Sequence, residues 1–282
     1  NDYRIVTLYT DNKYIEDYLT TKKYIRIANI DSVLYTNYLA SALMILNAFS
    51  QGECNHLVTY HNSIKNAKIF LNILEGLKEY YNFDGGISLQ QLDGSNSMYM
   101  RNKIINDFTN AKFGIICSCR ALNEGVDIPI IDSLCFVDDK SNTIDIIQCI
   151  GRGMRLYKDK GLTKVLVPIV IEDINLDVTK FNSIIRILKS LKDSDARIIE
   201  YFKGANNNVI KNFIIGYNFN SPEVLIKLEN LDVWTEGIKI VLWNNVDNFE
   251  CMYNKLLTWV SKNNRIPNHH SSNLDCLGKR DP

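Results

Sequence analysis

The sequence predicts an α/β protein, a parallel sheet with helices on both faces followed by a small, mostly helical C-terminal region. Three observations predict it. From about Asn55 to Ile171, short β-branched apolar runs alternate with helical patterns, the signature of a sheet built from right-handed βαβ units. Each helical pattern in that stretch opens with Ser or Thr, a signal for an N-cap. The 282 residues, 46% of them hydrophobic and 23% charged, suffice for one large domain with an appendage.

The first expected element is an alternating run, Arg4–Thr10, followed by apolar residues at helical spacing from about Leu34 to Phe49. Both are expected to pack on the sheet as its N-terminal edge. The core strands are expected at His56–Tyr60, Ile87–Leu92, Phe113–Ser118, Leu134–Val137 and Val165–Ile171. The helices between them are expected at Ser63–Tyr80, Ser97–Thr109 and Thr143–Leu156. Val178–Phe202 then reads as a long helix, and the Gly204-Ala-Asn-Asn-Asn208 stretch marks a turn or linker. The domain reading is 1–175 for the large domain, with 1–52 packed on it, 176–245 for a helical extension, and 246–282 for a small aromatic module.

Composition excludes several classes of function. The 32 basic and 32 acidic side chains balance, which argues against indiscriminate binding of polyanions while leaving room for a local phosphate groove. Apolar runs such as Val165–Ile171 are far too short to span a bilayer, so no membrane partner is expected. Seven cysteines without a paired framework point to a reducing intracellular compartment. The chain begins at Asn1, so a longer parent protein is expected.

Two segments carry chemistry. Gln148, Arg152 and Arg155 stand four and three residues apart, which places them on one face of a helix, with Gly151 allowing close backbone approach. Paired guanidiniums suit a polyphosphate because each is permanently charged and donates in a planar fork. A solvated basic helix face would look the same. The second segment runs from an apolar strand, Phe113 onward, through Cys119 into a polar loop holding Glu124, Gly125 and Asp127 before Pro129. That position, beyond the C-terminal end of a parallel strand, is where open α/β sheets bind ligands. Asp127 could accept from a ribose; plain turn chemistry ahead of Pro129 is the other reading.

Taken jointly and in order, residues from about Asn55 to Ile171 resemble the second RecA-like lobe of superfamily 2 helicases. Val58-Thr-Tyr-His61-Asn62-Ser63 resembles motif IV, Cys119 to Pro129 motif V, and Gln148 to Arg155 motif VI. Leu92-Asp93-Gly94 with Arg101 and Phe108 is similar to the strand-end glycine and following helix between them. The wording of the second segment looks most like helicases of restriction-type systems and of large DNA viruses.

The resemblance implies that Arg152 and Arg155 are arginine fingers reaching the ATP γ-phosphate across a cleft, with Gln148 beside them. It implies that Glu124, Gly125 and Asp127 couple the nucleotide to a bound strand. His61, Asn62 and Ser63 would contact nucleic-acid phosphate, aided by the positive end of a helix, and Gly94 would let the backbone come close. Cys119 stands where many relatives have Thr, and a thiol is a poor replacement for a hydroxyl donor. Either a backbone amide makes that phosphate contact or the site is weakened.

The sequence contains no Gly-x-x-x-x-Gly-Lys-Ser/Thr loop and no Asp-Glu metal motif of the helicase kind. ATP and Mg²⁺ would therefore be held mainly by a first RecA-like lobe of the same protein, and this chain alone is expected to be inactive as an ATPase. No cysteine or histidine pair shows zinc spacing, so no metal site is expected. Phe249, Tyr253, Leu256 and Trp259, then Arg265, Pro267 and Leu277-Gly278, are similar to the start of a helicase-associated helical repeat, although such spacing also suits plain helix core.

The expected function is the C-terminal half of an ATP-dependent helicase or translocase acting on nucleic acid, DNA in preference to RNA. The alternative is a non-catalytic nucleic-acid-binding or interaction module derived from such a lobe.

Overall fold

The computed structural model describes residues 2–11, 32–81, 83, 85–119, 127–138 and 142–171, with short pieces at 187–188, 190–191, 195, 214–218, 226–228, 257 and 260–261. The long helix expected at 178–202 and the aromatic module at 246–282, including His269-His270, lie almost wholly outside them. Residues Asn1–Leu231 form one compact unit and Asp232–Pro282 a second.

The first unit begins with strand β1 (Tyr3–Asp11) and helix α1 (Ser32–Ser50). Strand β2 (His56–Tyr60), helix α2 (Ile64–Leu77), strand β3 (Ser88–Asp93), helix α3 (Met98–Asn110) and strand β4 (Gly114–Cys119) follow. Strand β5 (Ser133–Phe136), helix α4 (Thr143–Gly153) and strand β6 (Thr163–Ile171) complete the alternation. Strands β7 (Ile214–Asn218) and β8 (Ile226–Leu228) come last.

The sheet order is β3-β4-β2-β5-β6-β1-β7-β8, parallel except for the final β7/β8 pair. From β2 the chain crosses over α2 to β3 on one side, and from β5 it crosses over α4 to β6 on the other. Connections thus leave in opposite directions at the neighbouring strands β2 and β5, which opens a crevice beyond their C-terminal ends. Burial on both faces follows from the near-continuous apolar strands: Leu57, Ile115, Cys135 and Leu166 pack with α1 and α2. On the opposite face, α3 sets Phe108 against Gly114 and α4 sets Gly153 against Leu134 and Thr163.

Two expectations change. The N-terminal strand is no edge: β1 runs in parallel register with β6 from Tyr3↔Thr163 to Asp11↔Ile171, and pairs with β7 on its other side. Adjacent Ile5 and Val6 are both buried, so the strand is apolar on both faces and belongs inside the sheet. Within the stretch read as a helical extension, 176–245, residues 187–188 and 190–191 are helical, and β7 and β8 add to the sheet.

Candidate nucleotide and nucleic-acid interface

Because β2, β3, β4 and β5 are parallel and adjacent, the residues just past their ends share one edge. His61, Asn62 and Ser63 follow β2; Asp93 and Gly94 close β3; Cys119 ends β4; Asp138 lies two residues beyond β5. The sheet topology therefore brings most of the sequence-derived site together.

Ser63 is the N-cap of α2, its Oγ accepting from Asn66 N–H at 3.0 Å, so its hydroxyl is committed to the helix. The backbone amides expected to meet phosphate at His61 and Asn62 are committed too. His61 N–H donates to the Ser118 carbonyl at 2.9 Å and Asn62 N–H donates to Asp138 Oδ2 at 2.8 Å. The amides left for a phosphate at this helix start are those of Ser63, Ile64 and Lys65, which precede the first intrahelical bonds.

The His61 side chain is not a surface ligand either, being 2% exposed. Its Nε2 shares a hydrogen bond with Thr59 Oγ1 at 3.0 Å, its ring packs on Phe70 and edge-on against Tyr38, and its Nδ1 has no partner. Burial pulls its pKa down to about 4, against an opposing pull from Asp138. His61 is thus neutral at physiological pH. Asn62 stays exposed.

Asp138 is the polar hub of this edge, and the sequence reading missed it. One carboxylate oxygen takes the Tyr38 hydroxyl from α1; the other takes Asn62 N–H and the Asn66 side-chain amide at 2.9 Å. Burial first, and the Asp138 bond next, push the Tyr38 phenol well above its ordinary pKa, so Tyr38 stays a donor. The position of an acidic residue just past an apolar strand was the available signal. Asp93 has the same placement and holds its turn in a similar way, accepting from Ser95 N–H at 2.8 Å and the Gln91 amide at 2.9 Å.

Gly94 sits in that turn with nothing within 4 Å of a built Cβ, so no close backbone approach within this chain requires a glycine there. Cys119 is 6% exposed at the end of β4, a core placement for its thiol. Glu124 and Gly125 lie outside the described residues.

Helix α4 carries Gln148 and Arg152. Its N-cap is Asn142, accepting from Ile144 N–H at 3.0 Å, rather than Thr143, which is the first helical residue. The helix ends at Gly153, so Gln148 and Arg152 are helical but Arg155 is not. Two side chains close its end: Thr163 Oγ1 donates to the Gly153 carbonyl at 2.6 Å, and Lys160 Nζ donates to the carbonyls of Gly153 and Arg155. These satisfy carbonyls that an ending helix leaves without partners. Close approach belongs to Gly153, where a Cβ would stand 2.8 Å from Thr163 Cγ2, and not to Gly151, which faces open space. In the sequence the two glycines are indistinguishable.

Past the helix, Arg155 forms an ion pair with Asp127 from the loop after β4. Their side chains are 40% and 61% exposed, so the pair is open to solvent and to any anion that approaches. Arg152 is half-buried, its charge weakly opposing the rise that burial imposes on the Tyr60 phenol, and Gln148 is exposed. Asp127 and Arg155 are thus brought together. Among the described residues no group of three or more His, Cys, Asp or Glu could hold a metal ion. Among the described residues, Cys54, Cys117, Cys119, Cys135 and Cys149 are buried and form no disulfide.

Residues 52–157 match the family described as Helicase conserved C-terminal domain. A Schizosaccharomyces pombe protein, irc3, whose name describes it as a mitochondrial ATP-dependent helicase, is 39% identical over 75 residues, 27% of this chain and 12% of its own length. A protein of African swine fever virus named as a probable helicase is 29% identical over 100 residues, 35% of this chain and 12% of its own. The chain therefore spans about an eighth of these relatives. Among solved structures, the ATP-dependent Type ISP restriction-modification enzyme LlaBIII bound to DNA superposes with a TM-score of 0.63 at 17% identity, covering 93% of this chain and 19% of that one. That likeness shows the fold, a RecA-like α/β sheet with helices on both faces.

Proposed function

With residues 52–157 matching a helicase conserved C-terminal domain, we propose that the chain supplies the second RecA-like lobe of an ATP-dependent nucleic-acid helicase or translocase. The observation that carries the reading is the meeting of Asp127, from the loop after β4, with Arg155, from the segment after α4. The two residues come from the segments resembling motifs V and VI, and a solvent-open arginine–aspartate pair fits a polyphosphate. A guanidinium held by one carboxylate keeps its charge and its remaining donors for phosphate oxygens.

In this reading Arg152 and Arg155 reach across to the γ-phosphate of ATP bound mainly, with Mg²⁺, by a first lobe of the same protein. Bound ATP supplies the phosphoryl group whose spreading charge the arginines stabilise. Gln148, exposed on the same helix as Arg152, stands beside that group, and Glu124, Gly125 and Asp127 link it to the bound strand. Asp127 serves a double role, orienting Arg155 and accepting from a ribose. The strand's phosphates lie against the Ser63–Lys65 amides, the exposed Asn62 side chain and the turn at Gly94. DNA is proposed ahead of RNA. Contacts of this kind go to the backbone and confer little sequence preference.

The test is nucleic-acid-stimulated ATPase of the complete protein beside Arg152→Ala and Arg155→Ala, on single- and double-stranded DNA and RNA. Loss of about 10³-fold or more in turnover with retained binding supports the finger assignment, since a finger is worth about 10³–10⁵ in rate. Retained turnover in Arg155→Ala overturns it. The burial of Cys119 at the end of β4, in place of a hydroxyl donor, favours the second reading, a binding module without turnover. Silence of the complete protein on every nucleic acid, with binding intact, would select it.

A further inference from the structure

Asp138 lies at the point where the chain leaves β2 and β5 in opposite directions, and its carboxylate bridges the two departures. Oδ2 accepts from Asn62 N–H at 2.8 Å and from Asn66 Nδ2 at 2.9 Å, both on the approach to α2; Oδ1 accepts from Tyr38 of α1. It is 8% exposed, so these bonds act where water competes poorly. One buried carboxylate thereby fixes the start of α2 relative to α1 and to the end of β5.

Its second effect is subtractive. By accepting from Asn62 N–H it takes that amide away from any ligand, as the Ser118 carbonyl takes that of His61. We propose that Asp138 is a positioning residue that sets which backbone amides a nucleic-acid phosphate meets, directing it to Ser63, Ile64 and Lys65 and away from His61 and Asn62. The inference rests on the nucleic-acid reading above. Asp138 touches no phosphate itself; a carboxylate facing the ligand would repel it, and burial with three donors keeps its charge turned inward.

The test is binding of a fluorescein-labelled single-stranded oligonucleotide to the 282-residue chain, read by anisotropy across a salt series. Four proteins are compared: wild type, Asp138→Ala, Asp138→Asn and Asn66→Ala. If Asp138 positions the amides, folded Asp138→Ala binds about tenfold more weakly at each salt concentration, with the slope of log K against log salt little changed because the lost contact is to neutral amides and not to a cation. Asp138→Asn, which retains an acceptor oxygen, restores most of the affinity. A merely structural role would lower thermal stability in Asp138→Ala without changing the affinity of the folded fraction.

Asn66→Ala removes one donor at the edge of the network and keeps the inference testable if Asp138→Ala does not fold; it should show a smaller drop of the same kind. Wild-type binding with unchanged affinity of the folded protein in Asp138→Ala, or in Asn66→Ala where Asp138→Ala fails to fold, overturns the positioning role alone. No binding by the wild type overturns the nucleic-acid reading, and this inference with it.

Discussion

Helix α4 holds two glycines two residues apart, and the structure predicts that alanine has opposite effects at them. At Gly153 an added Cβ would lie 2.8 Å from Thr163 Cγ2, 3.1 Å from Leu134 Cδ1 and 3.3 Å from Leu134 Cγ. Neither neighbour yields cheaply. Thr163 and Leu134 are fully buried in β6 and β5, and the Thr163 hydroxyl is held by its 2.6 Å bond to the Gly153 carbonyl. Overpacking of this kind costs about 1–3 kcal/mol, and displacing that hydroxyl adds about 1 kcal/mol. The helix-propensity gain of alanine over glycine, at most about 1 kcal/mol and less in a last turn, does not offset this. Gly153→Ala should therefore destabilise by about 1–3 kcal/mol.

At Gly151 the same Cβ meets nothing within 4 Å and the residue is exposed inside the helix, so Gly151→Ala should stabilise by about 0.5–1 kcal/mol. The assay is denaturant unfolding followed by circular dichroism. Tryptophan fluorescence is unsuitable because Trp234, Trp243 and Trp259 all lie in residues 232–282. Equal effects of the two substitutions, or a stabilised Gly153→Ala, would refute the packing of α4 on β5 and β6.

Three more outcomes are expected. His61, held near pKa 4 by burial, binds a proton more readily when unfolded, so its contribution to stability is intact above pH 6.5 and is lost as pH falls towards 4. His61→Phe should therefore flatten the pH dependence of unfolding between about pH 6.5 and 4; an unchanged slope sinks the assignment. Ser63→Ala removes the α2 cap and should cost about 1 kcal/mol, read in the same unfolding experiment, with no cost counting against the cap geometry. The buried thiols at Cys54, Cys117 and Cys135 are pushed up by burial, Cys117 to about 12, so peptide mapping after alkylation at pH 8 should find them unmodified in the native protein and modified only after unfolding.

The sheet was legible because its strands are apolar on both faces and its helices carry Ser caps; β2 begins and ends where the sequence places it, and Ser63 and Ser97 cap as expected. Those signals are local, written in spacing and residue type. The order of strands is not local. Nothing in Arg4–Thr10 announces that its two neighbours will be β6 and β7, which lie some 150 residues or more further along the chain, so β1 reads as an edge until the pairing is seen.

The same division holds at the site. Residue types and their spacing singled out Gln148, Arg152, Arg155 and Asp127, because permanently charged forks and strand-end carboxylates are chemistry carried by the residues themselves, while the His61–Ser63 segment was singled out by the family resemblance. Only the tertiary structure decided which groups remain for a ligand. It buried His61, gave the Asn62 amide to Asp138, ended α4 before Arg155 and assigned the tight contact to Gly153 rather than Gly151. Each of those outcomes depends on a partner remote in sequence, and a hydrogen-bond donor's availability is a property of its neighbours, not of its name.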